Sequence, residues 1–430
     1  MHHHHHHGKY GVPAQKFIYS RGMAGKIPRL PIDFESLQSK ARKVMKPEAY
    51  AYVAGGAGRG TTMVANQEAF ETYQLKASMM KAVQEVDLRV NVLGAEFITP
   101  LLTAPIGALD LVHPQGDKAV ARACNHLNIP MVFSCQASHS MEVCSEELGH
   151  TPRWFQLYWS KSDELVESFV SRAQRTGCSA IVVTLDTTSL GWRPRDLNQG
   201  YLPFLRGMGL AQYSSDPVFE NILRQRMLKK NNDPKPSVTF KTLSNVFGLC
   251  RNYPGGLWNN LRSGRALAAV KTFIDIYMRP ELRWTDVQRL RKMTTLPIVL
   301  KGIQTVDDAN KAFDFGADGI VVSNHGGRQI DGGTGALKCL DVITQNIEGR
   351  GTVLFDSGIR GGADVIKALA LGADAVLIGR PWVYGLALDG QRGVEAVLGY
   401  FLAELELQLS LMGVKSVQEL DRSIFSDRVE

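Results

Sequence analysis

The 430-residue chain is longer than a usual single domain, yet one α/β barrel with insertions absorbs that length, so length alone forces no division. Hydrophobic residues at 44% and charged residues at 21% give an ordinary globular composition, which excludes a disordered chain, a collagen-like repeat and a disulfide mini-scaffold. The net charge of +7 attracts anions weakly and carries no nucleic-acid signature.

Residues 1–8, with His2 to His7, read as an expression tag, and residues 9–430 read as one domain. Cys124, Cys135, Cys144, Cys178, Cys250 and Cys339 show no Cys-x-x-Cys spacing, and no secretory segment is evident. The expectation is free thiols in the cytoplasm and no metal site. No apolar run approaches the roughly eighteen residues that a membrane span requires.

In chain order, residues 34–54 carry a helical pattern with Tyr50 and Tyr52, followed by the flexible Gly55-Gly56-Ala57-Gly58, and are expected to pack across the main fold. Eight short apolar runs then recur with helical pattern between them: 101–104, 130–133, 154–158, 180–185, 296–300, 318–322, 352–355 and 374–378. Apart from one long gap, their spacing matches a β-loop-α-loop unit. Continuous apolar strands alternating with amphipathic helices imply a parallel sheet, and eight units close into a (β/α)8 TIM barrel. A doubly wound sheet stays open as an alternative, because spacing does not show closure.

The gap after the fourth run, between Asp186 and Leu296, is about four times a normal unit and includes a basic stretch from Lys229 to Pro236. Residues 207–281 are expected to form a lid-like insertion beside the active site. The basic amphipathic stretch Arg265 to Tyr277 carries the alternative of membrane-surface contact.

Each run is followed at once by an unusual cluster: Pro105-Ile106-Gly107, Ser134-Cys135-Gln136, Tyr158, Asp186, Lys301-Gly302, Ser323-Asn324-His325, Asp356-Ser357-Gly358 and Gly379-Arg380. A barrel gathers its chemistry at the C-terminal ends of its strands, so the eight clusters read as one site. Arg360 and Arg380, beside glycines after the last two strands, fit a phosphate. His325, flanked by glycines and opposite Asp186, reads as a base with a carboxylate partner. Arg193 and Arg328 are placed to hold a substrate carboxylate from two sides, whereas Arg195 next to Asp196 reads as a surface pair. Lys301 either stabilises negative charge on an electron-accepting ring or snorkels to the surface. No Gly-x-Gly-x-x-Gly follows a strand, so a Rossmann-bound nicotinamide is not indicated.

These motifs, above all Ser323 to Gln329, Asp356 to Arg360 and Phe155-Gln156-Leu157-Tyr158, resemble the FMN-dependent α-hydroxy-acid oxidases and dehydrogenases from about residue 34 to 420. Within that family, Tyr52-Val53-Ala54-Gly55-Gly56 and Gly191-Trp192-Arg193-Pro194-Arg195-Asp196-Leu197 are most similar to the lactate 2-monooxygenase branch. The resemblance implies FMN as cofactor and His325 as base with Asp186 as its partner. Arg193 and Arg328 would bind the substrate carboxylate, and Tyr52 and Tyr158 would hydrogen-bond the substrate. Pro105, Ile106, Gly107, Ser134, Gln156, Thr184 and Lys301 would surround the flavin ring; Ser323, Asp356, Gly358, Arg360, Gly379 and Arg380 would hold its ribityl chain and phosphate.

The implied reaction is oxidation of an L-2-hydroxy acid, L-lactate first, with O2, giving acetate, CO2 and water. The alternatives are an oxidase releasing 2-keto acid and H2O2, a membrane-associated quinone-linked dehydrogenase, and a non-catalytic flavin- or phosphate-binding barrel. The resemblance further implies a homo-oligomer, tetramer or octamer. Gln136 departs from the family's pattern, standing where glycolate oxidases carry tryptophan and lactate monooxygenase an apolar residue.

Overall fold

The computed structural model describes residues 8–229 and 238–426. The histidine tag, most of the basic stretch from Lys229 to Pro236 and residues 427–430 lie outside them. All eight predicted runs are strands: β1 (Leu101–Thr103), β2 (Met131–Phe133), β3 (Arg153–Leu157), β4 (Ile181–Thr184), β5 (Ile298–Ile303), β6 (Gly319–Val322), β7 (Thr352–Phe355) and β8 (Ala375–Ile378). Neighbours pair in parallel in sequence order, and β8 returns to β1 through Val376 opposite Leu101 and Leu377 opposite Leu102. The barrel is closed, which removes the doubly wound alternative.

Amphipathic helices separate the strands because the chain alternates continuous apolar runs with period-3.6 patterns. Helix Asp163–Arg175 shows the rule: Ser162 caps its start by accepting from the Leu165 N–H, and Leu165, Val166, Phe169, Val170 and Ala173 bury one face against the barrel. An antiparallel hairpin, Val90–Val92 with Ala95–Phe97, covers the N-terminal end of the barrel. Its Leu93 lies against Gly319 and donates its N–H to Thr352 Oγ1, where β6 and β7 begin.

The upstream segment crosses the opposite rim as expected. Helix Pro47–Ala54 delivers Tyr52 there, and the following glycine-rich turn is tied down by the Ala57 N–H to Gly327 O at 2.9 Å and the Gly58 N–H to Trp192 O at 2.8 Å.

The insertion after β4 divides into parts with different physical character. Residues 211–227 are packed onto the barrel: Gln212, Tyr213 and Phe219 have no exposed surface, and Arg172 ties them down. That guanidinium, itself 3% exposed, donates to Glu142, to Asp216 and to the Gln212 carbonyl. Helix Arg265–Ile276 buries Ala266, Ala269, Val270, Phe273 and Ile276, and Phe273 joins Phe204, Tyr213 and Tyr277 in one aromatic cluster. The apolar face proposed for a membrane surface is therefore turned inward, because it completes this core. Helices Phe240–Asn252 and Leu257–Ser263 differ, leaving Phe240 and Trp258 largely exposed. Among the described residues no helix is long and apolar enough to cross a membrane.

Candidate active site

The C-terminal rim encloses a cavity of about 1100 Å³, measured out to its mouth. Tyr52, Pro105, Ile106, Gly107, Ser134, Tyr158, Arg193, Lys301, His325, Arg328, Asp356, Gly358, Arg360, Gly379 and Arg380 all line it. Residues 300 positions apart in sequence meet here because closure of the barrel brings every strand's last residue to one ring.

His325 opens a short 3-10 turn after β6 in the left-handed region, at φ +58°, a conformation costly for a branched or bulky residue. Its surroundings impose it. The His325 N–H donates to Ser323 Oγ, the Gly326 N–H to Ser357 Oγ, and the Gly327 N–H to Asn324 Oδ1. Asn324 is itself fixed by a reciprocal amide pair with Asn66 at 2.6 and 2.9 Å. Gly326 is also left-handed, at φ +62°, which favours glycine, and a Cβ there would lie 2.8 Å from an Arg380 guanidinium nitrogen.

His325 Nδ1 stands 3.4 Å from Asp186 Oδ1 and 3.4 Å from Lys301 Nζ, which leaves Nε2 without a protein partner among the described residues. Burial, then the Lys301 ammonium, hold the imidazole pKa below its ordinary 6.5 against the opposing pull of Asp186. Burial pushes the Asp186 carboxyl up, but the facing His325 and Lys301 outweigh it and leave it below the usual range. Asp186 Oδ2 is a buried acceptor with no hydrogen-bond partner among the described residues. Gly302 makes the approach of this carboxylate feasible: at φ +115° it forms a bulge in β5, and a Cβ there would lie 3.1 Å from Asp186 Cγ.

Arg193 and Arg328 both lie over the Tyr52 ring, their guanidinium carbons 5.6 and 5.0 Å from its centroid. Arg328 has only carbonyl acceptors, from Tyr52, Val53 and Gly55, and burial followed by Arg193 lowers its pKa to about 9. Asp196 pairs with Arg193 at 3.2 Å, not with Arg195, whose guanidinium instead lies over the Tyr50 ring. Helix Pro194–Gln199 starts immediately after Arg193, which puts Arg193 and Asp196 on one face at i, i+3 spacing and corrects the expected surface pair. Burial and Asp186 push the Tyr158 phenol well above its ordinary range, so it stays a donor.

On the other side of the cavity Arg360 and Arg380 are in no ion pair among the described residues. Arg380 donates to the carbonyls of Val53, Gly326 and Gly55, and burial lowers its pKa to about 10; Arg360 lies over the Phe34 ring. Two cations facing one cavity without a carboxylate are a donor set for a phosphate. Lys301 Nζ stands 3.7 Å from Asp356 Oδ2, inside the rim and 4% exposed, so it does not snorkel to the surface.

Gln156 and Thr184 sit just behind the wall, bonded to each other at 2.9 Å, and Gln156 Oε1 accepts the Cys135 N–H. Ser323 and Asp186 likewise stand behind the lining residues. Sequence reasoning placed Ser357 in a rim cluster without giving it a task; its hydroxyl bridges the His325 loop to Asp356 at a backbone φ of +88°. Sequence reasoning missed Asn66, Phe204 and Met278, which come from a helix and from the insertion and carry no motif that marks them.

The profile of the family described as FMN-dependent dehydrogenase matches residues 41–427. An FMN-dependent alpha-hydroxy acid dehydrogenase, qulF, of Penicillium citrinum is 40% identical over 95% of this chain and 94% of its own. An L-lactate oxidase of Lysinibacillus sphaericus is 37% identical over 91% of each chain. Among solved structures, mandelate oxidase superposes with a TM-score of 0.73 at 31% identity, covering 93% of this chain and 98% of that one.

Proposed function

The chain belongs to the FMN-dependent dehydrogenase family and is an FMN-dependent 2-hydroxy-acid oxidoreductase; from that premise we propose that it oxidises an L-2-hydroxy acid to the 2-keto acid with dioxygen as the acceptor. The site fits FMN, since the unpaired Arg360 and Arg380 suit its phosphate. Bound FMN supplies a ring that takes two electrons from the substrate's C2.

Each residue then has a task. Arg360 and Arg380, with Gly358, Gly379, Ser323 and Asp356, hold the phosphate and ribityl end. Pro105, Ile106, Gly107, Ser134, Gln156 and Thr184 shape the ring's bed, and Lys301 holds positive charge against its edge. Arg193 and Arg328 clamp the substrate carboxylate, and Tyr52 and Tyr158 orient the 2-hydroxyl. His325 takes the proton on Nε2, and Asp186 stabilises the resulting imidazolium.

The observation that carries this reading is that His325 Nε2, free among the described residues, shares one cavity with Arg360 and Arg380, which are in no ion pair among those residues. Anaerobic mixing of FMN-loaded protein with a panel of L-2-hydroxy acids tests it. Loss of the yellow absorbance is expected with the wild type and not with His325→Ala, which should keep its colour; a His325→Ala protein that bleaches at the wild-type rate would remove His325 from the role.

The acetate-forming outcome requires both products to be retained behind a lid, whereas release of the keto acid and H2O2 does not. Product analysis separates them, acetate against keto acid plus peroxide.

A second reading, electron delivery to a quinone at a membrane surface, is favoured by one observation. Phe240 and Trp258 are exposed beside Lys241, Arg251 and Arg262, an apolar and basic combination suited to anionic lipid. Co-sedimentation with phosphatidylglycerol vesicles and slow oxygen uptake would favour it.

A further inference from the structure

The wall facing the reacting groups contains a polar side chain with nothing in the protein to bond. Gln136 follows β2, is 6% exposed, and lines the same cavity as His325, Arg193 and Arg328. Its backbone is held from several directions. The Gln136 N–H donates to Ser134 Oγ at 3.0 Å, its carbonyl accepts the Ala108 N–H at 2.9 Å, and Gly209 passes so close that a Cβ there would lie 2.9 Å from that carbonyl. Gly107 keeps the side chain where it is, because a Cβ at 107 would fall 3.1 Å from Gln136 Cβ and 3.5 Å from Oε1. The carboxamide itself makes no hydrogen bond among the described residues. The carboxamide faces the cavity, where a bound molecule that both donates and accepts would complete it.

The surroundings restrict what that molecule carries. Phe204 and Met278 add apolar wall, and Leu190 lies toward the mouth. The Thr187 hydroxyl is already given to Asp186. Beside the Gln136 carboxamide, which both donates and accepts, the lining contributed by Phe204, Met278 and Leu190 is apolar, and a methyl satisfies neither capacity.

We propose that this pocket selects L-2-hydroxy acids whose side chain ends in an uncharged hydrogen-bonding group, a hydroxyl or carboxamide, and that the Gln136 carboxamide reads that group. The proposal rests on the 2-hydroxy-acid reading above and names the substrate class within it.

A pair of substrates of nearly equal shape tests it. L-2,4-dihydroxybutanoate and L-2-hydroxypentanoate differ in a terminal hydroxyl against a methyl, and the FMN-loaded wild type should favour the first in kcat/KM by roughly ten- to hundredfold, because a site built to bond a hydroxyl leaves a buried group unpaired with the isostere. In Gln136→Leu the preference should vanish or invert; Gln136→Met replaces it if that variant fails to hold FMN. The non-reacting 4-hydroxybutanoate and pentanoate, titrated by perturbation of the visible spectrum, should show the same order of affinity and the same loss in the variant. Equal kcat/KM for the pair in the wild type, or an unchanged ratio in the variant, would overturn the role of Gln136. If no 2-hydroxy acid bleaches the flavin, the catalytic reading fails instead, and the non-reacting pair still reports on Gln136 alone.

Discussion

Nδ1 of His325 faces an ammonium and a carboxylate at equal distance, so the ring's titration is decided by burial and by which neighbour wins. Burial and Lys301 hold the pKa under 6.5, and Asp186 only partly offsets them. A base must be neutral to accept a proton, and a lowered pKa keeps it neutral further into acid. The pH profile of kcat/KM should therefore be level through neutrality and fall only on the acid side of 6.5; a midpoint above 6.5 would mean that some other group sets the limb. Asp186→Asn removes the charge that stabilises the imidazolium, so kcat should drop by roughly 10²- to 10⁴-fold, and the acid limb should shift to still lower pH.

The helices and loops around the rim differ in how far they could be read from sequence. The eight strands were legible because each is a short apolar run between helical patterns, and their terminal clusters named the site. The glycine of the β5 bulge was visible as Gly302, but not that its freedom from a Cβ admits Asp186, since that contact crosses from one strand end to the next. The insertion was the least legible element. Its amphipathic helix 265–276 reads alike whether its apolar face meets lipid or protein, and only the aromatic partners Phe204 and Tyr213 decide the matter. Arg172 gives a measure of that attachment. Its side chain joins Glu142 on one barrel helix to Asp216 and Gln212 on the insertion, and it is almost fully enclosed. Arg172→Ala strands the buried Asp216 carboxylate, while Glu142 keeps access to water, and should cost about 3 kcal/mol, read as a lower midpoint in urea. Loss of less than about 1 kcal/mol would mean that the insertion is held mainly by its apolar face.

At the scale of the whole molecule the cofactor site is a junction of distant chain segments. Arg380 at the end of β8 reaches the carbonyls of Val53 and Gly55 upstream of the barrel and of Gly326 after β6. Arg360, after β7, lies over Phe34 of the N-terminal segment. These cations are mutually repulsive and lowered in pKa by burial, with Arg360 itself contributing to the depression at Arg380, so the phosphate-free protein carries an electrostatic cost at the place where its parts converge. A dianionic phosphate relieves it, and binding to the folded state alone stabilises by RT ln(1 + [L]/Kd), about 2.7 kcal/mol at a hundredfold excess over Kd. Thermal unfolding of cofactor-stripped protein should accordingly rise by several degrees on adding FMN and much less on adding riboflavin, which lacks the phosphate. In Arg380→Met most of the FMN-dependent increment should disappear. An equal increment from riboflavin and FMN would show that the flavin ring, and not the two arginines, holds the junction together.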